Sequence, residues 1–362
     1  MDKIPSTRVL PGRGLEHAIT TILTAGGSQQ GEARQVAVSL VEANLRGHDS
    51  HGVGMVPRYV EALLDGGLRP NRTARVTLDI GTMLAVDGDR GYGQVIGAAA
   101  MTQAIARARQ HGTCVLALAN THHLARIGQF AELAVAAGLV SIHFVNVLSR
   151  PIVAPWGGSD ARFGTNPCCI GIPLPGEPPF ILDFATSVVA QGKMRVAHNK
   201  GEAVKPGLLI DDQGRPTTDP RYGVVPPVGA IMPFGDHKGY GLAIACELLG
   251  GALTGSGTED GMSRGDRRVV NGMLAILIDP ARLDPATFAT QARSFLDWLR
   301  QSSPAPDFDR VRTAGEPERE MRASRLAAGI PVDGTTWQAI RDAAEKLGLA
   351  ADRVDALASH GG

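Results

Sequence analysis

GDRGYGQVIG, residues 88–97, is the stretch on which the reading of the fold turns. It sets Gly91, Gly93 and Gly97 between a strand-length apolar run at 83–87 and a stretch, 93–110, that reads as a helix. A Rossmann phosphate-binding turn begins in this way, with a glycine-rich corner feeding a helix N-terminus. Such a turn also needs an acidic residue about twenty positions on, where the next strand ends, to hold a ribose. Positions 105–118 hold no Asp or Glu. The Rossmann reading is therefore set aside, and these glycines stand as a decoy.

Working outward, the middle of the chain is a series of apolar runs bounded by turn residues. TCVLALAN (113–120), LVSIHFVN (139–146), CCIGIP (168–173), FILDFA (180–185) and MLAILIDP (273–280) have strand length. Their near-continuous apolarity suggests a sheet buried on both faces. Helices are expected at about 128–137 and 187–198, and GYGLAIACELLGGALTG (239–255) reads as a central apolar helix. Upstream, 14–25, 31–46 and about 55–65 read as helices, with short strands near 74–79 and 83–87. Ala33, Val36, Ala37, Leu40 and Val41 recur at helical spacing, and Gly47 suits a left-handed cap after them. The end, about 286–302, 316–328 and 334–347, is helical again. The segment 201–236 is rich in glycine and proline and reads as a long loop, of the kind that covers a site or meets a partner.

Composition narrows the function. Lys plus Arg equals Asp plus Glu at 36 each, so no net field attracts nucleic acid or an anionic membrane. Aromatic residues are 4% of the chain and no basic run is interleaved with them, which argues against nucleic-acid binding. Cys114, Cys168, Cys169 and Cys246 show no CxxC spacing and read as buried free thiols of a reducing compartment. The N-terminal MDKIPSTRVLPG lacks a signal-like apolar core, and no run of about eighteen apolar residues occurs. A soluble, cytoplasmic protein is expected.

Four polar clusters lie at the ends of apolar elements. They are His48, Asp49, Ser50 and His51; Asn120, Thr121, His122 and His123; Asp183 with Ala185, Thr186 and Ser187; and Asp236, His237 and Lys238. Ligand sites of α/β proteins gather at such strand ends and helix N-termini. A hydride-transfer enzyme needs a general acid/base near neutral pKa, donors for a carboxylate and oriented amides for a pyrophosphate. His51 or His123 suits the first need, and helix starts at Thr186–Ser187 and Lys238–Gly239 suit the last. Isolated histidines are more often surface or hydrogen-bonded core residues, and Asp183 is also a plausible helix cap. Collection of these groups at element ends favours a site. Metal binding is the rival reading, but there is no HExxH and no carboxylate at ligand spacing from the histidines.

GHDSHGVGMVPRYVEAL, PWGGSDARFGTNP, ILDFATS, GDHKGYGLA and NGMLAILIDP, in that order, resemble the malate/L-lactate dehydrogenase family of the non-Rossmann type. The GHDSHG-x-GM variant is most similar to its hydroxycarboxylate dehydrogenase subgroup, with sulfolactate and ureidoglycolate dehydrogenases and piperideine-carboxylate reductases as further members. The resemblance implies an α/β fold with a mixed sheet of non-Rossmann dinucleotide-binding topology and a helical lobe from both chain ends. It divides the chain into 1–75, an N-terminal helical lobe; 76–310, a cofactor and substrate domain; and 311–362, C-terminal helices packing on that lobe. It implies a homodimer, NAD with NADP as the other possibility, and reversible interconversion of 2-oxo and 2-hydroxy acids.

The resemblance also implies site residues. His123 is the favoured proton acceptor; in a second scheme His51, with Ser50 and Asp183 as its relay, takes that role. Cofactor contacts fall on His48, His122, Leu124, Phe184, Ala185, Thr186, Ser187, His237, Lys238, Asn271 and the turn Thr313, Ala314, Gly315, Glu316. Thr165 and Asn166 line the substrate side. Most members carry an arginine five residues after the motif serine, which clamps the substrate carboxylate; here that position is Met55. A thioether forms no bidentate ion pair, so another cation, Arg162 or Lys238, holds the carboxylate, or the preferred side chain is bulkier and apolar. The usual aromatic-glycine pair after the histidine is Leu124–Ala125 here. Arg195, Arg264, Arg267 and Arg268 are open to meeting a 2′-phosphate or water. A cyclic imino-acid reductase, a histidine-metal hydrolase and a non-catalytic dinucleotide sensor are the alternatives.

Overall fold

The computed structural model describes residues 6–260 and 269–360. The chain enters on β1 (Arg8–Leu10) and forms α1 (Gly12–Ala25), α2 (Gln30–Leu45) and α3 (Val56–Leu64). The hairpin β2 (Arg75–Ile80) and β3 (Met83–Asp87) leads to α4 (Gly93–His111), β4 (Thr113–Thr121), α5 (Gly128–Ala136) and β5 (Val140–Leu148). Next come β6 (Cys168–Ile172), β7 (Phe180–Phe184) and α6 (Gln191–Lys200). Three short strands, β8 (Leu209–Ile210), β9 (Pro216–Thr217) and β10 (Ala230–Ile231), precede α7 (His237–Cys246). The remainder is β11 (Val270–Ile278), α8 (Pro285–Arg300), α9 (Glu316–Ala328), β12 (Ile330–Val332), α10 (Gly334–Lys346) and α11 (Ala351–Ser359).

Seven strands form one mixed sheet in the order β2-β3-β4-β11-β5-β6-β7. β3 and β4 run parallel, and the other neighbours run antiparallel. The sheet is thus mixed and differs from a Rossmann sheet, as expected, because a strand from late in the chain is its middle. Burial follows position. Central β11 is largely buried, whereas every residue of edge strand β2 is exposed, so the expectation of a sheet buried throughout fails at that edge. α4 and α5 cover one face, packing Ala100, Met101, Phe130 and Ala131 onto Leu116, Leu118 and Met273.

The helical lobe joins the two chain ends. Leu15, Ile19, Ile22 and Leu23 form one apolar stripe of α1, each 0% exposed, and share a core with Ile330, Trp337, Ile340 and Val354. Full burial of such side chains stabilises by about 1.5–3 kcal/mol each. β1 pairs antiparallel with β12 and closes this joint.

Three expectations need correcting. The segment 201–236 is not an unstructured loop: β8, β9 and β10 pair within it, and Leu209 and Ile231 join Val153, Phe163 and Met194 in a separate apolar cluster. α7 is not central; Gly239, Ala243 and Cys246 are buried while Ile244 is exposed. It continues into a π-helical turn, Glu247–Ala252, whose Gly250 lies against the backbone of Asn146 on β5. Finally, α6 starts at Gln191, so Thr186 and Ser187 sit in a bend before it and not at a helix start. Among the described residues, no helix is long and apolar enough to cross a membrane.

Candidate active site

The segment after α2 is fixed by its own polar groups. Gly47 has φ +83, the left-handed conformation that ends α2. Asp49 accepts Asn44 Nδ2 at 2.6 Å and a bidentate pair from Arg325 of α9, at 2.6 and 3.0 Å. Asn44 Oδ1 in turn accepts the Val53 amide at 2.7 Å. Asp49 therefore anchors the turn to the C-terminal helices and leaves His48, Ser50 and His51 for other work.

The second histidine segment follows β4. Asn271 on β11 accepts the Leu124 amide at 2.9 Å and donates to the Asn146 carbonyl at 2.8 Å, while Thr121 Oγ1 donates to the Asn271 carbonyl at 3.0 Å. These bonds hold the backbone around His122 and His123. The glycines of the opening stretch complete the mould. A Cβ on Gly93 would lie 2.5 Å from the His123 carbonyl oxygen and 2.6 Å from that of His122. Gly93 thus lets α4 begin against the histidine loop.

The two loops bring His51 and His123 together, with ring centroids 5.7 Å apart and planes 14° from parallel. Both rings are half-buried. Ser50 Oγ lies 3.0 Å from His51 Nδ1. Tyr59 of α3 places its hydroxyl 2.9 Å from His123 Nδ1, and Gln94 Nε2 donates to that hydroxyl at 2.7 Å. With Gln94 as donor, the Tyr59 proton points to His123 Nδ1, which leaves the ring proton on Nε2 facing away from Tyr59. Gln94 Oε1 is buried without a partner among the described residues. A flipped amide would accept the phenol proton instead, and Tyr59 would then accept from Nδ1–H. The network therefore tolerates either tautomer of His123.

Electrostatics keep both rings neutral. His51 is lowered to about 4 by burial and then by the neighbouring charges of His48 and Arg126. His123 is pushed well below the ordinary histidine range by burial, then by His51, His122 and Arg58. Burial raises the Tyr59 phenol, so it keeps its proton.

His48, three residues before His51, lines a cavity of about 400 Å³ together with Arg126, Asp183, Gly315 and Arg319 among others. That size is within the range of cofactor sites, roughly 300–1,000 Å³. Arg46 and Arg126 both pair with Glu132, at 3.2 and 2.6 Å, and His48 approaches Glu318 at 3.6 Å. The Arg319 guanidinium donates only to a backbone carbonyl, that of Pro179, among the described residues. Four arginines outnumber the three carboxylates of the lining, Glu132, Asp183 and Glu318, which suits a polar, phosphate-bearing ligand. Asp183 Oδ2 accepts the Gly128 amide at 2.7 Å. Burial raises the Asp183 carboxyl, against the pull of His48 and Arg126. Among the described residues, no hydrogen bond joins Asp183 to Ser50 or His51.

The family description "Malate/L-lactate dehydrogenase" matches residues 11–341. The chain belongs to the malate/L-lactate dehydrogenase family. It is 43% identical over 345 residues to hydroxycarboxylate dehydrogenase B of Escherichia coli O157:H7, covering 95% of each chain. It is 40% identical to an L-lactate dehydrogenase of Cupriavidus necator, over 88% of this chain and 92% of that one. A solved structure described as a putative malate/lactate dehydrogenase from E. coli superposes with a TM-score of 0.91 at 41% identity, covering 97% of this chain and 98% of the other.

Residues implied by likeness to the malate/L-lactate dehydrogenases fall into three groups. His48, Asp183 and Gly315 reach the cavity, and Ser50, His51 and His123 form the histidine site. A second group supports the walls. Asn166 is fully buried and bonds the Val147 amide, the Ala243 carbonyl and Glu247. The Thr165 carbonyl accepts both the amide and the hydroxyl of Thr186, Ser187 Oγ donates to the Val189 carbonyl, and Phe184 packs edge-on to Phe234, with Ala185 half-buried beside it. Leu124 is buried in the sheet core, and His122 is buried against Tyr59. Thr313 and Glu316 bond each other at 2.6 Å, and the Ala314 carbonyl accepts the Ile181 amide.

The third group stands elsewhere. Met55 is packed in the core of the helical lobe. Arg162 is exposed and paired with Asp160 at 2.7 Å. His237 rests 5.6 Å from Trp156, and both it and Lys238 are exposed. Arg264, Arg267 and Arg268 lie outside the described residues. Sequence reading missed Tyr59, Gln94 and Arg126. Tyr59 looks like a routine core aromatic in a helix, and only the spatial partner reveals its use.

Acid should destabilise the fold through buried histidines. His122 and His143 are 2% and 0% exposed, each lowered to about 3 by burial. In the unfolded chain they titrate near 6.5, so below that pH the unfolded state binds protons that the folded state refuses, and stability falls as pH falls. Between pH 7.5 and 5.5 the pair should cost about 3 kcal/mol, at about 1.4 kcal/mol per unit each once below 6.5. Urea melts at the two pH values check this; equal midpoints and slopes would show that the fold accommodates the charged rings.

Proposed function

We propose that the protein interconverts 2-oxo and 2-hydroxy acids with a nicotinamide dinucleotide, His123 exchanging the proton of the substrate oxygen. The observation that carries this reading is the stacked, neutral His51–His123 pair, with His48 of the same turn lining an arginine-rich cavity. A bound nicotinamide supplies or takes the hydride. His48, Asp183, Gly315 and Arg319 are the residues that would hold the dinucleotide.

In the oxidation direction a neutral imidazole is a ready base, and burial, which lowers the His123 pKa, keeps it neutral. In reduction the ring must donate. A substrate carboxylate next to the pair raises the imidazole pKa, because an opposite charge favours the charged form. Tyr59 orients His123 at Nδ1 so that Nε2 meets the substrate, and Ser50 orients His51. Two rings this close do not both carry charge, so one proton serves the pair. Among the described residues, no group of three or more His, Cys, Asp or Glu side chains gathers to hold a metal.

The finer parts of the proposal are NAD as the dinucleotide, a homodimer and a cytoplasmic location. Four buried free cysteines support a reducing compartment. Exposed Phe295 and Trp298 on α8 support an apolar subunit contact. The test is absorbance at 340 nm with NADH or NADPH against a panel of 2-oxo acids, aryl-pyruvates and a cyclic imino acid included, on material sized by light scattering. Oxo-acid-dependent loss of NADH signal from a dimer is expected. Silence across the panel from folded protein would end the enzyme reading, and turnover of the imino acid alone would redirect it to imine reduction.

A further inference from the structure

Glu318, in the first turn of α9, lines the cavity with one oxygen of its carboxylate unmatched. Its Oε1 lies 3.6 Å from Nε2 of His48. Its Oε2 is buried and has no hydrogen-bond partner among the described residues. A charged oxygen taken out of water without a partner is costly. The charge is kept all the same, because His48 beside it holds the Glu318 carboxyl below the ordinary glutamate range.

The cations of the lining are committed elsewhere. Arg126 donates to Glu132 at 2.6 Å, Arg46 and Arg322 donate to Glu42 at 2.8 and 2.7 Å, and the Arg319 guanidinium turns to the Pro179 carbonyl at 3.1 Å. The other two carboxylates are answered: Glu132 by Arg46 and Arg126, and Asp183 by the Gly128 amide. An anion is the wrong occupant beside Glu318. Glu316 shares its helical turn and accepts the Thr313 amide and hydroxyl at 3.1 and 2.6 Å, so acids already answer the positive end of α9. A neutral donor fits, and a carboxylate can accept two neighbouring hydroxyls at once. Arg319 comes next in the chain, and a Cβ on Gly315 would lie 2.8 Å from its Nη1, so the glycine leaves that guanidinium its place. Of its five N–H groups one is given to Pro179, which leaves others for a phosphate. An acceptor for a diol thus adjoins a donor for a phosphate, the order in which a nucleotide carries those groups.

We propose that Glu318 accepts the vicinal hydroxyls of a ribose of the dinucleotide, with Arg319 meeting the adjoining phosphate. The inference rests on the dehydrogenase reading for the identity of the ligand, and on the bare buried oxygen for the binding mode. A dinucleotide carries two such diols, and they have different consequences. At the adenosine ribose, a 2′-phosphate would face the Glu318 carboxylate and be repelled, which selects NADH over NADPH. At the nicotinamide ribose that phosphate lies elsewhere, and the two cofactors bind alike.

The test is calorimetric binding, without turnover, of NADH, NADPH and two 2′-deoxy analogues of NADH, one altered at each ribose. The proteins are wild type, Glu318→Gln and Glu318→Asp, with Tm measured to check folding. Loss of a hydroxyl bonded to a charged acceptor should weaken wild-type binding roughly 10- to 100-fold for one analogue, which identifies the ribose. Glu318→Gln keeps the size without the charge, and Glu318→Asp withdraws the carboxylate by one methylene. Both should weaken NADH by a similar factor yet weaken that analogue little further, because the interaction is already gone. NADPH rejected by wild type and admitted by Glu318→Gln places the diol on adenosine; equal binding of NADH and NADPH places it on the nicotinamide side. Unchanged NADH affinity in both variants, or equal losses for NADH and both analogues, would overturn the proposal and leave dinucleotide binding standing. Folded wild type that binds neither NADH nor NADPH would overturn it together with the dehydrogenase reading.

Discussion

His123→Ala is expected to lower kcat for 2-oxo acid reduction by roughly 10²- to 10⁴-fold, the span that a positioned general acid/base supplies. The side chain is held at Nδ1 by Tyr59 and Gln94, so its Nε2 is the free, aimed atom. The cavity wall of His48, Asp183 and Arg319 belongs to other elements, so dinucleotide affinity, read by fluorescence, should stay within a few-fold of wild type. His51→Ala should cost less, because His51 stacks beside His123 and acts on it through its charge, with no hydrogen bond between the two rings to carry the proton. Tyr59→Phe separates orientation from chemistry: it keeps the packing but frees Nδ1. A near-normal His123→Ala enzyme beside an inactive His51→Ala enzyme would transfer the proton to His51.

Gly93→Ala is expected to damage catalysis through a single methyl group placed against the backbone of the histidine loop. The new Cβ would lie 2.5 Å from the His123 carbonyl oxygen, closer than real Cβ contacts allow, so the histidine loop or α4 must shift. Overpacking of this kind costs about 1–3 kcal/mol of stability. A displacement near 1 Å at a catalytic group is worth on the order of 10²-fold in rate. The glycine-turn reading makes a different forecast, with dinucleotide affinity lost and kcat at saturation retained. Measuring Tm, kcat and dinucleotide Kd together decides between them; a stable Gly93→Ala protein with only weakened dinucleotide binding would restore the phosphate-turn reading.

Helices and strands were legible wherever a local period ran long enough. The apolar stripe of α2 and the capping Gly47 after it are written in neighbouring residues, and the structure places both within a residue or two of expectation. Edges and irregular helices were less legible. β2 looks like any short strand, and its exposure follows only from having one neighbour. The π-helical turn after α7 sits where glycines meet β5, which no period announces. At the site, His48, Ser50, His51, His123 and Asp183 stood out because reactive side chains clustered at element ends. Tyr59 and Gln94 did not, since each is an ordinary helix residue until the other comes within 2.7 Å.

What the residues alone settled was local: which segments coil, which extend, where turns need glycine, and that the missing acid after the glycine stretch argues against a Rossmann turn. Tertiary structure decided that β11, drawn from beyond residue 269, becomes the middle strand beside β4 and β5, and that its Asn271 then pins the histidine loop. The division has a physical cause. Helical and strand periods come from backbone geometry within a few residues, whereas sheet order and side-chain partnership come from burial of distant surfaces against one another, which spacing along the chain does not encode.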